Sequence, residues 1–276
     1  MALFFIFTVV PVLISIVLSF TSFNVLEPPK FVLFDNFVRM FTQDDIFMTA
    51  MKNTFLIAFI CGPAGYLLSI LFAWFINELR PGIRALMTLI FYAPTIAGNV
   101  YMIWSVLFSS DSYGYINGTL LRLGLIAAPI QWLKDPQYMM PILISVVLWT
   151  SLGTSFLSFI AGFQGVDRSL YEAAAVDGVS NRWQELWFIT LPTMRPQLMF
   201  GAVMSITSSF SVGAVTTQLF GSPSKDYAVH TIMNHLDDYG GIRFEMGYAS
   251  AIATFLFLVM VLTNLVVKRM IATVGE

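Results

Sequence analysis

Six stretches of the chain, 2–20, 53–76, 85–108, 138–163, 197–218 and 246–267, contain no Asp, Glu, Lys, Arg or His. A helix rises about 1.5 Å per residue, so about 20 apolar residues reach across a hydrocarbon layer about 30 Å thick. The pattern therefore predicts an all-α, integral membrane protein whose six transmembrane helices form a single transmembrane domain. Composition agrees, with 57% of residues hydrophobic and 11% charged, where soluble domains carry about 25% charged residues. The first stretch lacks the basic flank and small-residue cleavage site of a secretory signal, so it is expected to be a span. A net charge of -2 offers nothing to a nucleic acid. The expected surroundings are a lipid bilayer. The lone Cys61 sits in an apolar run and reads as inert packing.

Basic residues near span ends set orientation. Placing the 77–84 and 164–196 loops and the C-terminus on one side gives it Arg80, Arg84, Arg168, Arg182, Arg195, Lys268 and Arg269. The remaining basic residues are spread over longer loops and mixed with Asp44, Asp45, Asp237 and Asp238. Charge density thus predicts a multi-pass protein with both termini in the cytoplasm.

The 164–192 loop reads as two short helices broken at Gly178, where a residue free to adopt positive φ can turn the chain. Asp167 or Ser169 is placed to cap the first helix, and Pro192 to interrupt or bend the path into the fifth span. Ala173, Ala174 and Ala175 present almost no side chain, so a partner could approach that backbone closely. Trp183, Leu186 and Trp187 fall at helical spacing and predict an apolar face on the second helix. Taken alone, these residues read as an amphipathic interfacial loop with aromatic anchors.

Glu172-Ala173-Ala174, three further residues, Gly178, and then Ile189-Thr190-Leu191-Pro192 resemble the cytoplasmic signature loop of permease subunits of binding-protein-dependent ABC importers. Ten residues, 179–188, separate the glycine from Ile189, one more than the commoner pattern. Asn36-Phe37, Phe41, Phe47, Asn53-Thr54, Pro94, Trp104, Gly114, Asn117, Trp132-Leu133, Gly221-Ser222-Pro223 and the 247–251 run are similar to carbohydrate-type permeases related to the first maltose permease.

That resemblance implies a type I importer permease in the bacterial plasma (inner) membrane. Glu172, Ala173, Ala174, Asp177, Gly178, Leu191 and Pro192 would couple it to ATPase subunits. The implied partners are a second, homologous permease, two ABC ATPases holding ATP and Mg, an extracellular or periplasmic solute-binding protein, and a sugar or oligosaccharide substrate. Another small polar solute is the alternative cargo.

A polar solute needs hydroxyls along its route. The fourth span carries Thr150, Ser151, Thr154, Ser155 and Ser158, and the fifth carries Ser205, Thr207, Ser208, Ser209 and Ser211. Small hydroxyls in spans also allow helices to pack closely, and the residues alone leave both readings open. By resemblance, Thr150, Ser151, Thr154, Ser208 and Ser209 fall where maltose-type permeases present sugar-contacting side chains. Their types differ, being small hydroxyls where those permeases carry asparagines and aromatics. Trp149 could offer a stacking face or simply pack.

Absences in the sequence narrow the choice further. No Gly-Lys pair occurs, so the chain has no phosphate-cradling Walker loop and its energy must come from a partner. No nucleophile, base and orienting group suggest catalysis. His230 and His235, the only histidines, lie in a polar outer loop without evident co-ligands, so neither a metal nor a cofactor is expected in this chain. An ion-coupled secondary transporter is the main rival. Spans free of ionisable groups argue against proton coupling, though not against sodium held by neutral oxygens. A scaffold or channel component without a motor is a second rival.

Overall fold

Backbone N–H and C=O groups in hydrocarbon must find partners within their own segment or in buried neighbours, and the chain meets that demand with helices. The computed structural model describes residues 1–98 and 101–272. In order they form α1 (Ala2–Leu18), α2 (Asp35–Thr42), α3 (Asp45–Asn77), α4 (Pro81–Ile96), α5 (Tyr101–Leu107), α6 (Tyr115–Arg122), α7 (Pro136–Thr150) and α8 (Thr154–Gln164). There follow α9 (Arg168–Val176), α10 (182–193), α11 (Arg195–Phe210), α12 (Gly213–Phe220), α13 (Ile232–Asp237) and α14 (Met246–Ala272). The only β-structure among the described residues is an antiparallel pairing of Thr21–Ser22 with Lys30–Phe31.

Three helical paths, Asp45–Asn77, Pro136–Gln164 and Met246–Ile271, are long and apolar enough to cross a membrane, and α4 with α5 and α11 with α12 would each make one more. The apolar α1 is slightly shorter. The expected 138–163 span is interrupted at Ser151–Gly153, and the expected 197–218 span at Ser211–Val212. Residues 99 and 100 of the expected 85–108 span lie outside the described residues.

The chain divides into two compact units: Met1–Leu56, Tyr101–Leu143 and Phe210–Val261 in the first; Ile57–Val100, Ile144–Ser209 and Leu262–Glu276 in the second. In the first unit, buried side-chain amides tie loops to helices. Asn36 donates to the carbonyls of Ser19 and Thr21, both at 2.9 Å. Asn53 donates to Tyr227 O and His230 O at 3.0 Å, and the Thr54 hydroxyl accepts from the Ile232 N–H. Asn117, fully buried, donates to Ser109 O, Asp111 O and Ile130 O and accepts from Ile130 N–H and the Trp132 indole. A Cβ at Gly247 would run into the Thr21 carbonyl. Several residues that carried the family resemblance are therefore structural fasteners.

At the start of α3, Asp44 Oδ1 accepts from the Phe47 N–H at 2.8 Å, a helix cap. Its Oδ2 accepts from the Tyr248 hydroxyl at 2.8 Å and lies 3.0 Å from His235 Nε2. Burial works to raise the Asp44 pKa, but the bonds from His235, the Phe47 N–H and Tyr248 outweigh it and hold the carboxyl below its ordinary range. Both histidines, read from sequence as sitting in a polar loop, are buried, with 3.4 Å between His230 Nε2 and His235 Nδ1. Burial first, and then the neighbouring His235, push the His230 pKa down to about 4.

The second unit is built on an apolar core in which Trp74, Phe156, Phe159, Phe163, Leu186 and Met194 pack together. This core links the ends of α3 and α8 to the 164–192 loop.

Candidate coupling loop and pathway residues

Asp167 opens α9 by accepting from the Ser169 N–H at 3.0 Å, and that bond holds its carboxyl below the ordinary range. The nine residues of α9 include none that is buried. Glu172, Ala173, Asp177 and Gly178 are exposed and Ala174 is half-buried. Its end is a left-handed turn with Gly178 at φ 93°. The Val179 N–H donates to Ala174 O at 3.0 Å and the Gly178 N–H to Ala175 O at 3.3 Å, satisfying carbonyls that a helix end leaves unpaired. A Cβ at Gly178 would meet nothing within 4 Å. The requirement for glycine there is conformational, not spatial.

Asn181 caps α10 by accepting from the Gln184 N–H at 2.9 Å. Within α10, Leu186–Thr190 is a π-turn, which holds one residue more than an α-turn. The ten residues between Gly178 and Ile189 comprise the 179–181 turn and the first part of α10, up to and into this π-turn. The Thr190 hydroxyl donates to Glu185 O at 3.1 Å and accepts from the Tyr171 hydroxyl at 2.8 Å, tying α9 to α10. Helical path continues through Pro192 and breaks at Met194.

Along the expected apolar face of α10, Leu186 is buried, whereas Trp183 and Trp187 are 63% and 65% exposed. Burial follows Leu186, Thr190, Met194 and Leu198 in steps of four, so the apolar side chains divide between the core and the surface.

A recess of about 550 Å³ lies between α9, α10 and the end of α3, with Glu78, Arg84, Tyr171, Glu172 and Arg182 on its walls. Arg182 bonds Glu185 at 2.8 Å and lies 3.6 Å from Glu78, while Trp183 meets Trp74 edge-on at 4.7 Å.

Four of the five pathway hydroxyls donate to carbonyls three or four residues back in the chain. Thr150 bonds Val146 O and Val147 O at 3.1 Å, Ser151 bonds Leu148 O at 2.6 Å, and Ser208 and Ser209 bond Ser205 O at 3.0 and 2.6 Å. Each keeps lone pairs that could accept from a solute hydroxyl. Thr154 and Ser208 are exposed, Thr150 and Ser151 half-buried, and Ser209 buried. A Cβ on Gly65 would lie 2.8 Å from that of Ser151, and one on Gly62 would lie 3.4 Å from Ser209 Oγ. Those two serines therefore sit side by side on α3 and serve close packing. The break after Thr150 is sealed from neighbouring helices, as Ser69 donates to Ser151 O and Thr95 to Leu152 O. Trp149 lines an apolar cavity of about 340 Å³ with Leu68, Phe72, Ile90 and Phe91.

The sequence profile described as "Binding-protein-dependent transport system inner membrane component" matches residues 65–274. The "Probable ABC transporter permease protein YesP" of Bacillus subtilis (strain 168) is 33% identical over 272 residues, 96% of this chain and 85% of that protein. The "Lactose transport system permease protein LacF" of Rhizobium radiobacter is 31% identical over 207 residues, 74% of this chain and 67% of its own. Among solved structures, a chain of a bacterial ABC transporter involved in the import of the acidic polysaccharide alginate superposes with a TM-score of 0.80 at 28% identity, covering 100% of this chain and 93% of that one.

Proposed function

This chain belongs to the family of binding-protein-dependent transport system inner membrane components, and from that premise we propose that it is the permease subunit of an ATP-driven importer carrying a sugar or oligosaccharide into the bacterial cytoplasm. The lactose and alginate systems among its relatives support that substrate class. A second permease completes the pathway, two ATPase subunits bind ATP and Mg below it, and a binding protein delivers the solute from outside. In this reading six crossings form one transmembrane domain in the inner membrane, and both termini are cytoplasmic. Hydrolysis takes place on the ATPases. Their closure moves the permease halves as rigid bodies through Glu172, Ala173, Ala174, Asp177, Gly178, Leu191 and Pro192, and the solute passes Thr150, Ser151, Thr154, Ser208 and Ser209.

The observation that carries the reading is α9, a helix with no buried residue that is nonetheless capped at both ends and closed by a glycine turn. Such a helix is shaped for a surface that covers it. Gly178→Asp tests the reading, because its Cβ has open space but its φ is unfavourable by roughly 1 kcal/mol. The variant should reach the membrane, lose co-purifying ATPase and abolish uptake, and Glu172→Lys should do the same. Full uptake with the ATPases retained would overturn the coupling role.

A further inference from the structure

Burial along 186–198 leaves the opposite side of the same path uncovered. Phe188 is 67% exposed and, in steps of four, Pro192 is half-buried and Pro196 and Phe200 are exposed, with Val203 beyond them and Trp187 beside Phe188. Trp187 and Phe188 are thus the head of an apolar stripe that continues down α11, which together with α12 is long and apolar enough to cross a membrane. Indole rings favour the level of the lipid headgroups, where an apolar body and an N–H can both be satisfied. The surface that α9 offers on the same loop is mixed, with alanines, Glu172 and Asp177 beside exposed Leu170 and Val176 and no indole ring.

We propose that Trp187 and Phe188 of α10 insert into the headgroup layer of the adjoining leaflet. Leu186 and Thr190 face the core while Trp187 and Phe188 are directed outward. The inserted ring pair fixes the depth of the coupling loop relative to the bilayer, so that force applied at α9 moves the helices rather than the loop. The inference rests on α11 being a membrane segment, as the family implies.

Single cysteines at Trp187, Phe188, Val176 and Phe200, in a Cys61→Ala background, can be nitroxide-labelled in permease reconstituted without ATPase into phosphatidylglycerol–phosphatidylethanolamine vesicles. Collision rates with oxygen, which partitions into lipid, and with a water-soluble nickel chelate then report depth. Labels at 187 and 188 should give oxygen-to-nickel ratios several-fold above that at Val176, which is 88% exposed on α9, and below that at Phe200. Ratios equal to that at Val176 would refute insertion, and protection from nickel that appears only on adding ATPase would assign the rings to the motor subunit. Low collision rates with both reagents would assign them to a protein contact, again refuting insertion. A watery Phe200 would instead undo the membrane reading of α11. In unlabelled protein, lipids brominated at a shallow acyl position should quench wild-type emission more than that of Trp187→Phe. Equal quenching would count against the proposal even if the cysteine variants misfold.

Discussion

Replacing Asp44 by alanine should strongly destabilise the first unit. The carboxylate caps α3 through the Phe47 N–H and is the acceptor for the Tyr248 hydroxyl, with His235 Nε2 also at 3.0 Å. Losing a cap costs about 1 kcal/mol, and each buried donor left without an acceptor costs about 1–3 kcal/mol, giving roughly 4 kcal/mol in total. Asp44→Asn keeps an oxygen for the cap and one further bond, and should cost about 1–2 kcal/mol. At roughly 2–4 °C per kcal/mol for a chain of this size, the midpoint in nanodiscs, read by intrinsic fluorescence, should fall by about 10 °C for Asp44→Ala and about 4 °C for Asp44→Asn. In the Asp44→Ala background, Tyr248→Phe should cost almost nothing, because the bond it removes is already gone. An Asp44→Ala midpoint within about 2 °C of wild type, or fully additive effects of the two substitutions, would refute the network.

Acidification should destabilise the protein through His230. Its folded pKa of about 4 lies below the unfolded 6.5, so between those values the unfolded chain takes up a proton that the native state refuses; stability falls as pH drops through that window, by about 2 kcal/mol after allowing for solvent screening. His230→Gln should flatten the pH profile of the midpoint over that range. Asp44, with its lowered pKa, keeps its contribution until more acidic pH. Thr150→Trp and Ser208→Trp should each cut uptake at least tenfold with the ATPases still bound, and normal uptake by both, with expression confirmed, would remove these positions from the solute route.

The sequence by itself determined what depends on local pattern. Apolar runs of membrane-crossing length dictate helices because hydrocarbon leaves the backbone no other partner, and the 164–192 loop declared its two helices through Asp167, the alanines and Gly178, whose capping and turn chemistry acts over a few residues. Tertiary structure alone decided which side chains face what. Asp44 and His235 stand 191 residues apart, so no periodicity could pair them, and two histidines in a polar stretch proved to be buried. Helical spacing put Trp183, Leu186 and Trp187 on one face, yet the surrounding helices bury Leu186 and leave both indoles exposed. The hydroxyls of the fourth and fifth spans looked equivalent in sequence. Their neighbours on α3 made them different, since Gly62 and Gly65 admit Ser209 and Ser151 as packing surfaces while Thr154 and Ser208 stay exposed. Burial is a property of the surrounding helices, and a chain read one residue at a time does not contain it.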